Sequence, residues 1–269
     1  MWFRAWIGRA GGEVLALTVT SQCRRRILGI PVHDVMIAEV VERALDWVNE
    51  GDGTVHQIVT VNPEFIIAAR RNPGFRDVLE RADLATADGV GVILAARLLG
   101  QPLRGRVTGI ALVESLAARA EPKMRLFLLG AGPGIAERAG ASLVARYPGC
   151  VIAGTWSGSP SSEDAGETLA RIKEAGATVV LVAFGAPEQD CWIDRYRIDL
   201  ASCGIVMAAG VGGTLDYLAG EVPRAPELVR RLGFEWLYRL IRQPWRWRRQ
   251  LALPLFAALV LRERFSQSR

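Results

Sequence analysis

An aspartate stands among small residues in "LATADGVGV", residues 84 to 92, where a strand pattern gives way to a helix pattern. Two interpretations of Asp88 follow from this position. An aspartate directly before a helix often caps the free N–H groups of the first turn. A carboxylate at the end of a buried strand can instead have a raised pKa, which suits it to general-base chemistry. The local pattern favours the cap and leaves the chemical role open.

Polar residues at two other chain reversals could share a pocket with Asp88. Thr60 and Asn62 end the preceding strand pattern in "TVNPE", and Arg106 and Thr108 follow the Asp88 helix in "RVTG". The carboxyl ends of parallel strands meet at one edge of a sheet, where open α/β sheets bind ligands. Each of these residues also has a purely structural explanation, as a turn former or a surface cation.

Two glycine-rich segments could bind an anion through backbone N–H groups. Gly130 and Gly132 follow a strand in "LFLLGAGPGIAERAG", but Ile135 replaces the third glycine of a dinucleotide-binding G-x-G-x-x-G. Gly212 and Gly213 precede a helix in "GVGGTLDYLAG". These loops indicate a diphosphate-containing nucleotide rather than a nicotinamide cofactor. A tight turn without a ligand explains the first loop equally well.

Several other chemistries receive little support. The two histidines, His33 and His56, have no ligand spacing with a cysteine or an acid, and the sequence contains neither D-x-D nor G-x-S-x-G. Four cysteines without C-x-x-C spacing favour a reducing compartment over a disulfide framework. If a diphosphate leaves during the reaction, its negative charge must be stabilised by positive side chains. These would have to be arginines, because Lys123 and Lys173 are the only lysines.

Alternating strand and helix patterns must position these residues. Short apolar runs alternate with helices of about ten residues, which predicts an α/β fold with a mostly parallel sheet covered on both faces. At the start, "RRRILGIPVHDV" predicts one short strand, and the following helix ends at Gly51. The expected organisation is an N-terminal extension (1–24), a smaller α/β subdomain (25–121), a Rossmann-like subdomain (122–219) and a helical basic appendage (220–269).

Charge is concentrated at the C-terminal end of the chain. The 269 residues, half of them hydrophobic, are enough for one large domain or two small ones with a buried core. The net charge is +5, but the stretch from Arg224 onward has 11 arginines and 3 glutamates, so the first 223 residues carry −3. No apolar run reaches the roughly 18 to 20 residues of a membrane-spanning helix, and "LALPLFAALVL" contains Pro254.

Six ordered motifs resemble those of the WecG/TagA/CpsF family of bacterial glycosyltransferases. They are "TVNPEF", "ADGVGV", "RVTG", "GAPEQDCWI", "GVGGTLDYLAGEVPRAPE" and "RRLGFEWLYRL". The resemblance covers roughly residues 25 to 250. It implies an inverting transfer, without metal or cofactor, from a UDP-sugar to a polyprenyl-diphosphate-linked sugar in cell-surface polymer synthesis. An N-acetylmannosamine-type donor is expected, with UDP-glucose as the alternative.

The resemblance implies roles for individual residues. Asp88 corresponds to the proposed catalytic base, and Gln189 matches the glutamine of the family's P-x-Q-E motif, where this chain has Asp190 in place of the usual glutamate. Cys191 replaces a residue that is often basic. The residues expected around the substrates are Thr60, Asn62, Arg106, Gln189, Gly130, Gly132, Gly212 and Gly213.

The basic tail is interpreted as a membrane-surface segment. The resemblance implies that Arg239, Arg246 and Arg249 hold the lipid diphosphate, and tryptophans beside an apolar run suit a headgroup boundary. A solvated tail and a nucleic-acid-binding patch are the alternatives; the second is disfavoured because "LALPLFAALVL" offers nothing to a nucleic acid. The expected location is cytoplasmic, peripheral on the inner face of the membrane. A non-catalytic nucleotide- or membrane-binding protein and an oxidoreductase remain as lower-ranked functions.

Overall fold

The computed structural model describes residues 24–119, 121–231, 235–242, 244 and 247–267. Within these ranges the strands are β1 (Arg24–Ile27), β2 (Ile30–His33), β3 (His56–Val61), β4 (Leu84–Ala87), β5 (Arg125–Gly130), β6 (Val151–Trp156), β7 (Val179–Ala183) and β8 (Met207–Gly210). The helices are α1 (Ile37–Glu50), α2 (Pro63–Arg71), α3 (Pro73–Arg81), α4 (Val90–Leu98), α5 (Gly109–Arg119), α6 (Ile135–Arg146), α7 (Ala165–Ala175), α8 (Glu188–Arg195), α9 (Arg197–Ser202), α10 (Thr214–Leu218), α11 (Glu227–Arg231), α12 (Glu235–Arg242), α13 (Trp247–Gln250) and α14 (Ala252–Gln267).

One parallel sheet of six strands organises the fold, in the order β4-β3-β8-β7-β5-β6. Its apolar side chains alternate between two faces, as β-strands require. Helices α1, α5, α6 and α10 pack on one face, and α2, α3, α7 and α8 pack on the other. The predicted α/β class with a parallel sheet covered on both faces is therefore confirmed. Helix α1 ends as predicted, with Gly51 in the left-handed conformation at φ 56°.

The segment "RRRILGIPVHDV" forms a hairpin instead of the single strand expected. Strands β1 and β2 pair antiparallel, and Leu28 and Gly29 form the turn at φ 51° and 81°. Two successive residues with positive φ make the two-residue turn that matches the twist of a hairpin. Leucine rarely adopts that conformation, so the sequence pattern gives no signal for the turn.

This hairpin covers part of the outer edge of β4. His33 Nδ1 accepts the Ala85 N–H at 2.9 Å, and the histidine is 7% exposed. Burial, assisted by the charge of Arg24, lowers the pKa of His33, so the ring is neutral and Nδ1 can act as an acceptor. Further along the same edge, the Val107 N–H donates to the Ala87 carbonyl at 2.9 Å. Backbone groups that would otherwise be exposed at β4 are thus paired.

The C-terminal appendage contains helices α11 to α14, as expected, and residues 221–226 before them are not helical. Its last helix, α14, packs against α2 and α4 and buries Phe256 and Val260. Gln250 Nε2 also donates to Glu64 Oε1 at 3.4 Å. Among the described residues, no helix is long and apolar enough to cross a membrane. Residues 1–23 of the expected N-terminal extension lie outside the described ranges.

Candidate active site

Asp88 lies at the carboxyl edge of the sheet, directly after β4. Its N–H donates to the Val61 carbonyl at 2.7 Å, which ties it to the end of β3. The side chain is half-buried. This is the edge at which open α/β sheets bind ligands.

Asp88 is not the N-cap residue of α4. Helix α4 begins at Val90, and its N-cap residue is Gly89, at φ 99° and ψ 147°. That conformation strongly favours glycine, and it places Asp88 one position before the cap. A glycine thus occupies the N-cap position, and the general-base role of Asp88 remains a prediction.

Thr60 and Asn62 are held within the fold around the end of β3. Asn62 Oδ1 accepts the Phe65 N–H at 3.0 Å and caps α2. Thr60 is 5% exposed and pairs in register with Thr86 of β4. The structure thus brings Asn62 to the sheet edge near Asp88. Thr60 lies further inside the sheet, in the residue pair before the last pair of β3 and β4.

Thr86 is a positioning residue that the sequence patterns did not indicate. Its hydroxyl lies 3.2 Å from the Val107 carbonyl and 3.4 Å from the Val59 carbonyl. Together with the Val107 N–H bond to β4, this contact holds the segment "RVTG" beside Asp88. The signal in the sequence was only a threonine in a buried strand, which usually reflects β propensity.

The segment "RVTG" also contacts the second glycine loop. A Cβ added to Gly109 would lie 3.0 Å from Thr214 Oγ1 and 3.2 Å from the Val211 carbonyl oxygen, so the two segments approach closely at this glycine. Thr108 Oγ1 accepts the Ala111 N–H at 3.2 Å in the first turn of α5. Arg106 is exposed and forms no ion pair with the described residues.

The first glycine loop packs against the end of β7. Gly130 has φ 100°, and an added Cβ would lie 2.8 Å from the Ala183 carbonyl carbon. Gly132 lies in the turn before α6, and Gly134 is the N-cap of that helix at φ 74°. The loop therefore stands at the carboxyl edge, between β5 and the N-terminus of a twelve-residue helix.

Gln189 joins two loops at this edge. Its Oε1 accepts the Gly212 N–H at 2.9 Å and the Gly185 N–H at 3.2 Å. The glutamine is 2% exposed. Gly212 was expected to offer its N–H to a phosphate, but here that N–H is bonded within the protein. Gly213 follows as the N-cap of α10.

Comparison with known families connects this arrangement to a reaction class. The sequence matches the Glycosyl transferase WecG/TagA/CpsF family over residues 25–269. The chain belongs to this family. It is therefore a glycosyltransferase, and the resemblance carried by the six motifs is confirmed.

Similar proteins include three named N-acetylglucosaminyldiphosphoundecaprenol N-acetyl-beta-D-mannosaminyltransferase. That of Bacillus spizizenii is 36% identical over 206 residues, 76% of this chain and 78% of its own length. That of Bacillus subtilis is 36% identical over 207 residues, 77% and 79% of the two chains. That of Staphylococcus aureus is 32% identical over 232 residues, 86% and 89% of the two chains.

The arginines expected at the lipid diphosphate of this glycosyltransferase are only partly described. Arg249 is exposed on α13. Arg246 lies outside the described residues, as does the side chain of Arg239. In the described ranges, no group of three or more histidine, cysteine, aspartate or glutamate side chains could hold a metal ion.

A methyl group at Gly210 should disturb the Gln189 contact. A Cβ there would lie 2.5 Å from Gln189 Nε2 and 2.4 Å from Asp190 Oδ1, so both buried side chains must move. We expect Gly210→Ala to lower the free energy of unfolding by about 1–3 kcal/mol in denaturant titrations. Gly166→Ala is the matched control, because nothing lies within 4 Å of its added Cβ and alanine favours helix α7 by about 0.5–1 kcal/mol. Equal stability of Gly210→Ala and the native chain would contradict the close packing.

Proposed function

We propose that this chain transfers an N-acetylmannosamine-type sugar from a UDP-sugar to a sugar linked to polyprenyl diphosphate, with inversion and without a metal ion. The observation that carries the proposal is the meeting of Asp88, the segment "RVTG" and the Gln189-bonded Gly212 loop at one sheet edge. The names of the related enzymes supply the substrate class, since they describe transfer to a diphosphoundecaprenol-linked sugar.

The proposed reaction is a single displacement. The Asp88 carboxylate accepts the proton of an acceptor hydroxyl while the hydroxyl oxygen forms a bond to the anomeric carbon. The bond from that carbon to the UDP oxygen breaks, and UDP leaves from the opposite face with the bonding electron pair. General-base assistance of this kind contributes about 10²- to 10⁴-fold to a rate.

Charge on the departing diphosphate must also be stabilised. Arg106 is available for this, because it is exposed and makes no ion pair within the described chain. The loop from Gly130 to Gly134 leads into the N-terminus of α6, whose backbone dipoles favour an anion.

We assign the nucleotide to residues 122–219, the base to residues 25–121 and membrane contact to residues 220–269.

A surface on α14 supports the assignment of membrane contact. One side of α14 is buried against α2 and α4, yet the opposite side also carries exposed apolar residues. These residues, here called the outer stripe, are Leu255, Leu261 and Phe265. Arg262 and Arg264 are exposed beside them. An apolar stripe flanked by arginines suits the interface of an anionic membrane, which we propose is the inner face of the cytoplasmic membrane.

The substrate assignment is tested by product mass. The full chain is incubated with a synthetic polyprenyl-diphosphate-N-acetylglucosamine acceptor and a panel of UDP-sugars, with and without EDTA. We expect addition of one N-acetylhexosamine from UDP-N-acetylmannosamine at a rate unchanged by EDTA. Transfer from UDP-glucose alone would overturn the donor assignment, and loss of transfer in EDTA would overturn the metal-free mechanism.

Substitution of Asp88 tests the base assignment. Asp88→Asn keeps the shape of the side chain and removes its basicity, so we expect the transfer rate to fall about 10²- to 10⁴-fold. Thermal unfolding and UDP binding should remain close to native. Asp199→Asn, at an exposed position on α9, is the matched control and should retain full activity. Near-native transfer by folded Asp88→Asn would contradict the assignment.

Membrane contact is tested by flotation with vesicles that contain anionic lipid. The double variant Leu261→Asn/Phe265→Asn removes two apolar side chains of the outer stripe, so we expect it to bind at least about tenfold more weakly, since burying one such side chain is worth about 1.5–3 kcal/mol. Ile198→Asn is the control, because Ile198 is 82% exposed on α9, a helix that is not part of the appendage. Equal losses in the two variants, or none in either, would contradict the assigned surface.

A further inference from the structure

A fully buried carboxyl group next to Gln189 has no assigned role. Asp190 is 0% exposed, and neither of its carboxyl oxygens has a hydrogen-bond partner in the described chain. Burying a polar group without partners is costly, and most buried polar side chains in proteins are bonded. Because the burial of this carboxyl costs free energy, we looked for a function that would explain it.

Asp190 and Gln189 pack on the same point of β8. An added Cβ at Gly210 would overlap both Asp190 Oδ1 and Gln189 Nε2, so the carboxyl and the amide share the space that this glycine leaves open. The N–H groups of Gly185 and Gly212 both point at Gln189 Oε1. Because two donors fix the oxygen end, the Nε2 end of the amide is the one that lies beside the carboxyl.

The backbone of Asp190 is anchored from the other side. Its carbonyl accepts Gln57 Nε2 at 3.1 Å, and Gln57 Oε1 accepts an Arg197 guanidinium N–H at 3.2 Å. Gln57 is itself 0% exposed on β3. Helix α8 is thereby tied to β3, so the position of the Asp190 carboxyl over β8 is set by the sheet.

We propose that Asp190 is a positioning residue whose carboxyl holds the Nε2 end of the Gln189 amide, so that Gln189 keeps the Gly185 and Gly212 loops in the arrangement that binds the UDP-sugar. This inference rests on the proposed function. A small side-chain adjustment would bring a carboxyl oxygen into hydrogen-bonding geometry with Nε2. The loops would then be set by one amide that is bonded at both ends.

The protonation state of Asp190 fits this role. Burial raises its pKa from the ordinary aspartate value to about 7, although the nearby Gln189 amide and its own N–H oppose the shift. The neutral acid can accept the Nε2–H bond without a buried charge. Because the pKa is raised in the folded state, the folded chain loses stability as the pH rises from the ordinary aspartate pKa to about 7, and the folded carboxyl itself ionises as the pH passes about 7.

Several charged groups on the neighbouring elements pair with one another rather than with Asp190. Strands β7 and β8 carry no titratable side chain. On α3, Arg81 pairs with Asp194 of α8 at 2.7 Å. On β3, His56 contacts Asp83 at 3.2 Å, and Arg197 of α9 pairs with the same aspartate at 3.2 Å. Desolvation is therefore the main influence on Asp190.

Steady-state kinetics of the full chain from about pH 6 to 9 test the proposal. Asp190→Leu cannot hold the amide, so we expect the KM for the UDP-sugar to rise about tenfold with kcat changed less than about threefold. Asp190→Asn is a neutral isostere that can still accept the Nε2–H bond. Ionisation of the native Asp190 above about pH 7 would place a charge in a buried site with one amide as its neighbour, so we expect the carboxyl to move towards water and release that amide. The native KM should then rise above about pH 7, whereas the KM of Asp190→Asn should match the native value at low pH and stay constant.

The outcomes separate this proposal from the proposed function. A folded Asp190→Leu with native KM, or an Asp190→Asn whose KM varies with pH as the native value does, overturns the positioning role; the second comparison remains decisive if the leucine variant does not fold. Asp199→Asn should show native kinetics throughout. If the native chain transfers no sugar, UDP affinity measured by calorimetry replaces KM, and unchanged affinity in Asp190→Leu overturns the proposal. A native chain that neither transfers sugar nor binds UDP overturns both.

Discussion

The parallel pairing of β3 with β8 is the interaction on which the candidate site depends. His56, Gln57 and Ile58 pair with Met207, Ala208 and Ala209, so the part of the chain that carries Asp88 and the part that carries the glycine loops share one sheet. Because all six strands run in the same direction, their carboxyl ends meet at one edge. Asp88 and Gln189 are far apart in the sequence, and this pairing gives them a common surface.

Loops at that edge are held by hydrogen bonds that lie outside the regular helices and strands. Thr86 and the Val107 N–H fix "RVTG" to β4, and Gln189 joins the loops at Gly185 and Gly212. Such contacts order the groups that meet the substrate before it arrives, which lowers the entropy that binding and catalysis must overcome. The glycosyltransferase chemistry proposed for Asp88 thus depends on a rigid frame around a half-buried carboxylate.

The sequence predicted regular elements where the apolar pattern is strong: the apolar run in "LFLLG" forms β5, and the helix expected to end at Gly51 is α1. It missed the first hairpin because Leu28 occupies a conformation that its side chain disfavours. It misplaced the start of α4 by one residue, because Gly89 rather than an aspartate occupies the cap. Residue types identified Asp88 as chemically capable, whereas the Gln189–Gly212 bond and the burial of Asp190 depend on contacts between distant strands, which no local pattern encodes.

Chemical rescue measures the role of Asp88 most directly. Asp88→Ala leaves a space at the sheet edge, and formate is a small carboxylate that can enter it and accept the proton of the acceptor hydroxyl. The transfer rate of folded Asp88→Ala, measured against formate concentration, should start near zero and rise with formate, while the native rate stays constant. A near-native rate of Asp88→Ala without formate would contradict the general-base account.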